Sequence, residues 1–211
     1  GIYCYNSSPK IINCIIRDNY SQDQGGGLHF KMSRAIIRNC QINCNRAIER
    51  GGGISSDTSA LLIENCVITH NNVVRHGGGG VLCYPMDSST IKNCIISFNT
   101  CYCFGAGLNC RDSSFVTVRD CIIEGNRCVN CGGGVFAGLK NSCIDMEDCI
   151  IKDNTCIHEG GGIGINDSRV ILTRCLVTGN FCNEYGGGIH TDEARLDAIN
   201  SNICGNSAGN T

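Results

Sequence analysis

The sequence predicts an all-β solenoid: a single-stranded parallel β-helix of eight coils of 26–28 residues, with three short strands in each coil. Three observations predict it. A glycine cluster recurs once per coil, an asparagine column and a cysteine column hold the same register, and the apolar residues within each repeat alternate with period two, as strands require.

The glycines stand at Gly25 to Gly27, Gly51 to Gly53, Gly77 to Gly80, Gly105 and Gly107, Gly132 to Gly134, Gly160 to Gly162, and Gly186 to Gly188. From Gly1 onward, the last glycines of successive clusters are 26, 26, 27, 27, 27, 28 and 26 residues apart. The asparagine column is Asn19, Asn45, Asn71, Asn99, Asn126, Asn154, Asn180 and Asn206. Five residues before each lies Cys14, Cys40, Cys66, Cys94, Cys121, Cys149 or Cys175, with Ser201 in the eighth repeat. Two unrelated residue types keeping one register along the whole chain is not a composition bias.

The first strand of each coil follows the glycines, at Ile2, Leu28, Ile54, Val81, Leu108, Val135, Ile163 and Ile189. A second strand is marked three residues before the cysteine column by Ile11, Ile37, Ile63, Ile91, Val118, Met146, Leu172 and Ala198. The third is marked two residues after that column by Ile16, Ile42, Ile68, Ile96, Ile123, Ile151, Val177 and Ile203. Polar residues such as Arg17, Asn43, Glu124 and Lys152 occupy the intervening outward positions. A unit this short cannot bury its apolar side alone, whereas stacked copies share one core and complete each other's backbone hydrogen bonds. At about 4.8 Å per strand, eight coils make a rod of roughly 40 Å.

Composition narrows the function classes. The 211 residues include 19 Cys, 28 Gly, 2 Pro and no Trp, with a formal charge of −2. No apolar run approaches the roughly 18 residues of a membrane span, and the near-neutral charge excludes nucleic-acid binding driven by bulk positive charge. The repeats run over 1–211 as one domain without a linker, and neither end carries a recognisable cap or leader. The expectation is a piece of a longer β-helix, or a subunit whose copies stack end to end into a filament.

These repeats resemble the right-handed parallel β-helix proteins of the pectate-lyase-like superfamily, above all bacterial surface and polymorphic outer-membrane-type proteins whose repeats read GG[A/G][I/L/V] followed by an Asn-ending segment. The resemblance covers all 211 residues. It implies a right-handed winding, in agreement with the chirality of parallel crossovers, and an extracellular or cell-surface location. The superfamily includes polysaccharide lyases and hydrolases, adhesins, autotransporter passengers and repetitive surface proteins, so it implies a fold more than an activity.

Each recurring residue has a structural and a functional reading. Glycine clusters can cradle phosphate, but none here is followed by a helix or by the Lys-Ser/Thr pair of a phosphate loop, so they read as corners with positive φ and close coil approach. The asparagines read as a stacked amide column at a corner, each side chain bonding the next coil and its own backbone tolerating a left-handed conformation.

Among the cysteines, the column from Cys14 to Cys175 shares the inward phase of the isoleucines. A second set, Cys101, Cys128, Cys156 and Cys182, fills an inward position held elsewhere by Ser21, Ala47, Val73 and Ala208. Parallel neighbours about 4.8 Å apart hold their Cβ atoms too far apart for ordinary disulfides, so thiol ladders are expected. The exception is Cys103 with Cys131, the one candidate disulfide. Joined by Cys101 and Cys128 these two have metal-ligand spacings, but with two of the four facing inward and no nearby His, no metal site is assigned.

On the outer face the nearest catalytic candidates are Asp120, Asp148 and Lys152. Two stacked aspartates can also share a calcium ion. Against both readings, Arg38, Glu64, Lys92, Arg119 and Glu147 form an outward column of largely alternating sign suited to ion pairing, and Arg174 follows Asp148 in its own column. The five histidines are scattered, and stacked aromatic sugar platforms are scarce. A structural rod or fibre subunit that associates with itself is therefore the first expectation. A carbohydrate-active enzyme, or an adhesin stalk contacting carbohydrate or a cell surface, is the alternative, and no cofactor beyond calcium suggests itself.

Overall fold

The computed structural model describes residues 1–209. Three parallel sheets of eight strands run the length of the rod, and in each the strand order follows the order of the coils. Register is kept from coil to coil. Ile2 pairs with Leu28, Leu28 with Ile54, Ile54 with Val81, and Val81 with Leu108 on the first sheet. Ile63 lies between Ile37 and Ile91 on the second, and Ile68 between Ile42 and Ile96 on the third.

The alternation that predicts these strands also fills the core. In coils two to seven the three marker residues, from Leu28, Ile37 and Ile42 to Ile163, Leu172 and Val177, are fully buried and form one continuous apolar column. Burying each such side chain is worth about 1.5–3 kcal/mol as an upper value.

A fourth side adds to the expected three. Two-residue strands form a four-stranded sheet, Tyr20–Ser21, Arg46–Ala47, Asn72–Val73 and Thr100–Cys101, and a three-stranded sheet, Thr155–Cys156, Phe181–Cys182 and Ser207–Ala208. Between them the fifth coil contributes only isolated bridges from Arg127 to Thr100 and to Thr155. Beneath this side Ala47, Val73, Cys101, Ala106, Cys128, Cys156 and Cys182 pack as a second small core, separate from the main one.

The corners are built from left-handed residues. One column is Asn13, Asn39, Asn65, Asn93, Asp120, Asp148, Arg174 and Asn200, with φ of 51–57°, immediately before the cysteine column. The other is Asp18, Cys44, His70, Phe98, Gly125, Asp153, Gly179 and Gly205, immediately before the asparagine column. The left-handed conformation expected at Asn19 to Asn206 therefore falls one residue earlier: the preceding residue makes the turn, which aims the asparagine side chain into the corner. The glycine corner combines both demands on that residue. Gly160 has φ of +63°, and a Cβ on it would lie 2.4 Å from the Ile163 carbonyl oxygen.

Candidate functional site

The asparagines form the most completely bonded set of polar side chains. Asn99 Nδ2 donates to Asn126 Oδ1 at 3.1 Å and to the Ile68 carbonyl at 2.9 Å, while its backbone N–H donates to the same Oδ1 at 2.9 Å. Its own Oδ1 accepts from the backbone N–H and the Nδ2 of Asn71, at 2.9 and 3.0 Å. Asn45, Asn71, Asn126, Asn154 and Asn180 repeat this arrangement. All six are buried, so the corner's backbone groups have no water and take their partners from these amides.

The cysteine column does related work. Cys121 Sγ lies 3.1 Å from the Arg119 carbonyl and 3.7 Å from the Ile91 carbonyl of the preceding coil, and accepts from Cys94 N–H at 3.4 Å. In the eighth coil Ser201 Oγ occupies the same place: it donates to Ile199 and Leu172 carbonyls at 3.0 and 3.2 Å and accepts from Cys175 N–H at 3.0 Å. The thiol thus acts as a weak hydroxyl as well as an apolar filler. Burial pushes the Cys40 thiol up and keeps it protonated. Cys40 to Cys175 are buried in this column and Cys14 is exposed.

A third polar column, Ser7, Ser33, Ser59, Ser114, Ser142 and Ser168, escapes a reading that follows only apolar residues. Its hydroxyls accept backbone N–H groups from the coil before, as Ser59 Oγ does from Ser33 at 3.0 Å and Ser168 Oγ from Ser142 at 3.1 Å. In the fourth coil this column holds Asp87, which is 1% exposed. Around it are Ser56, which donates its hydroxyl to Asp87 Oδ2, and the Ser89 N–H, 2.9 Å from Oδ1. Desolvation pushes the Asp87 carboxyl up to about 6, against the opposing hydrogen bonds from Ser56 and Ser89. Burial, followed by the charge of Asp87, also raises the thiols of Cys83 and Cys110. The serines recurring once per coil are the signal that exposes Asp87 as the odd member of its column.

Two of the three outward candidates, Asp148 and Lys152, are already occupied by partners. Arg174 grips Asp148 through two hydrogen bonds of 2.9 and 2.8 Å and also contacts Glu147. That hydrogen bonding holds the Asp148 carboxyl below its ordinary value. Lys152 pairs with Glu124 at 2.9 Å, which raises the ammonium's affinity for its proton, so Lys152 is engaged away from Asp148. Asp120 is exposed in the left-handed column that also holds Asp148. Along the second sheet Arg38 and Lys92 bracket Glu64 at 2.7 and 2.8 Å, and Arg119 reaches Glu147 at 3.0 Å. The two hydrogen bonds from Lys92 and Arg38 lower the Glu64 pKa. A surface depression of about 530 Å³ is lined by Ser142, Cys143, Ser168, Arg169 and Arg195 and includes none of the three candidates.

In this structure Cys103 and Cys131 are not bonded to each other, and the 19 cysteines stand as free thiols. Cys131 pairs in register with Phe104, one residue beyond Cys103, so the two side chains belong to different columns, one buried and one half-buried. Among the described residues, no group of three or more His, Cys, Asp or Glu is arranged to hold a metal ion. No helix among them is long and apolar enough to cross a membrane.

Compared with known families, the chain matches the one described as "Right handed beta helix region" over residues 1–141 and again over 71–203. No curated protein matches it.

Proposed function

Since the chain belongs to the right-handed β-helix family, we propose that it is a section of an extracellular β-helical rod, whose function is to be long and rigid, and that its coils are continued by stacking on further coils, including those of a second copy. One observation carries this reading: Asp148 and Lys152, two of the three catalytic candidates on the outer face, are spent on coil-to-coil ion pairs. Asp148 is held by Arg174 and Lys152 by Glu124, so the acid and base that a polysaccharide lyase or hydrolase needs free are engaged in fastening neighbouring coils. Surface location rests on what is common among proteins of this fold.

Electron microscopy of the purified protein tests the rod. Particles one coil wide that lengthen with concentration agree with it, and particles of a single fixed length at all concentrations refute the stacking. An adhesive role is a second reading, favoured by an outward aliphatic stripe on the third sheet: Val67, Ile95, Ile122, Ile150 and Leu176. Binding to cells or glycans that is lost when Ile95 and Ile122 become Thr, with rods intact, would favour that role. The enzymatic reading requires calcium-dependent cleavage of an acidic polysaccharide that disappears in Asp148→Asn.

A further inference from the structure

We propose that Cys101 and Cys128 are a redox-modifiable pair which, on oxidation by a small-molecule disulfide, forms a cross-link between the fourth and fifth coils. Their Sγ atoms lie 3.3 Å apart, with the Cys101 thiol donating to Cys128 Sγ. In the next two coils of the same column the thiols are directed at carbonyl oxygens, Cys156 at those of Val129 and Asn130 and Cys182 at that of Ile157, whereas Cys128 both meets carbonyls and receives the Cys101 thiol.

The location in the fold explains the difference. Strand pairing at about 4.8 Å keeps neighbouring Cβ atoms outside the roughly 3.5–4.5 Å of a disulfide. Cys156 and Cys182 are held in this way within a paired strand. Cys128 lies instead at the interruption of the fourth side, where Arg127 makes single parallel bridges to Thr100 and Thr155 in place of a two-residue strand. Its thiol is drawn sideways to the carbonyls of Cys103 and Cys131, at 2.9 and 3.4 Å. The backbone here stays tied to both neighbouring coils, Cys101 N–H to the Arg127 carbonyl at 3.1 Å and Cys128 N–H to the Thr155 carbonyl at 3.0 Å, so the approach that an S–S bond needs comes from the two side chains.

Access is also uneven. Cys101 is 6% exposed and opens onto a depression of about 330 Å³ bordered by Asn72, Thr100, Tyr102 and Val129, whereas Cys128 is 1% exposed. Cys101 is therefore the entering thiol. As its thiolate it attacks one sulfur of the small disulfide, forming a mixed disulfide and releasing one small thiol. Cys128, giving its proton to the departing group, then displaces the second small thiol from Cys101. The two protein thiols are oxidised to one disulfide, and the reagent disulfide is reduced to two thiols.

The test is treatment of the native protein with oxidised glutathione, followed by non-reducing peptide mapping with fragment-ion assignment. The expected product is about 2 Da lighter, carries a Cys101–Cys128 cross-link, and melts about 5–10 °C above the reduced protein. Cys101→Ala, at a position where the column already accepts Ala47, and Cys128→Ser should each lose both the cross-link and the shift. A cross-link elsewhere, such as Cys103 to Cys131, overturns the proposal. So does a native protein that keeps all its thiols after treatment, or an equal thermal shift in Cys101→Ala.

Discussion

Two columns climb the rod two residues apart and obey different rules. In one, every coil supplies asparagine, from Asn19 to Asn206. In the other the coils supply Ser21, Ala47, Val73, Cys101, Cys128, Cys156, Cys182 and Ala208. Both are buried through the middle of the rod. The difference lies in what the side chain must do. Each buried asparagine gives and receives hydrogen bonds on both sides, so no residue of another shape or polarity can replace it without orphaning a neighbour. The second column need only fill space beneath the fourth side, and any small, mostly apolar residue serves. Residue identity repeats where hydrogen-bond demand repeats, and drifts where only volume matters.

The strongest way to break this comparison is Asn99→Leu. It leaves the Asn71 N–H and amide and the Ile68 carbonyl without their partner, and at about 1–3 kcal/mol per buried orphan the expected loss is at least about 3 kcal/mol. Urea or thermal unfolding reads it, and an unchanged midpoint would show that the amides are not fastening the coils.

Asp87 sharpens the rule, because it places a carboxyl where its column otherwise demands a hydroxyl. Its folded pKa of about 6 stands above the ordinary 3.8, so the folded protein binds the proton more tightly than the unfolded one. The resulting stability is fully present below about pH 4 and is lost as pH rises through about 6, a change on the order of 3 kcal/mol by pH 7. Asp87→Ser should flatten that dependence relative to the parent protein when unfolding is measured from pH 4 to 7. If the two curves run parallel, the carboxyl does not titrate in this window.

A smaller effect is expected in the permissive column. Cys101→Ala should cost about 1 kcal/mol under reducing conditions, since it removes one buried sulfur and no obligatory hydrogen bond of the backbone. A loss comparable with Asn99→Leu would erase the distinction between the two columns. Least of all should follow from Arg174→Ala on the exposed face, where solvent screens the pair with Asp148. No measurable change in the melting temperature is expected, and a large drop would mean that the outer ion pairs, rather than the inner amides, hold the coils together.

Much of this architecture can be read from residues alone because the determinants are local and repeated. Leu28, Ile37 and Ile42 announce three inward faces by alternation, and the same alternation returns in every coil. The charged column from Arg38 to Glu147 is similarly readable, since in-register stacking brings its members together. The catalytic candidates were less readable: Asp120 and Asp148 look like a carboxylate pair until Arg174 is seen to close on Asp148. The left-handed residues were displaced by one position for a similar reason. Which residue of a corner takes positive φ depends on where its successor's side chain must point.

The sequence by itself determined the number of coils, their register and the residues that face inward, because a periodic chain stacked in phase permits one consistent set of neighbours. Only the tertiary structure decided that the fourth side breaks at the fifth coil, that the Cys101 thiol meets Cys128, and that Asp87 is sealed among Ser56, Cys83 and Ser89. Those are departures from periodicity. Their geometry comes from how one coil's side chains meet the backbone of the next, and no single repeat contains both partners.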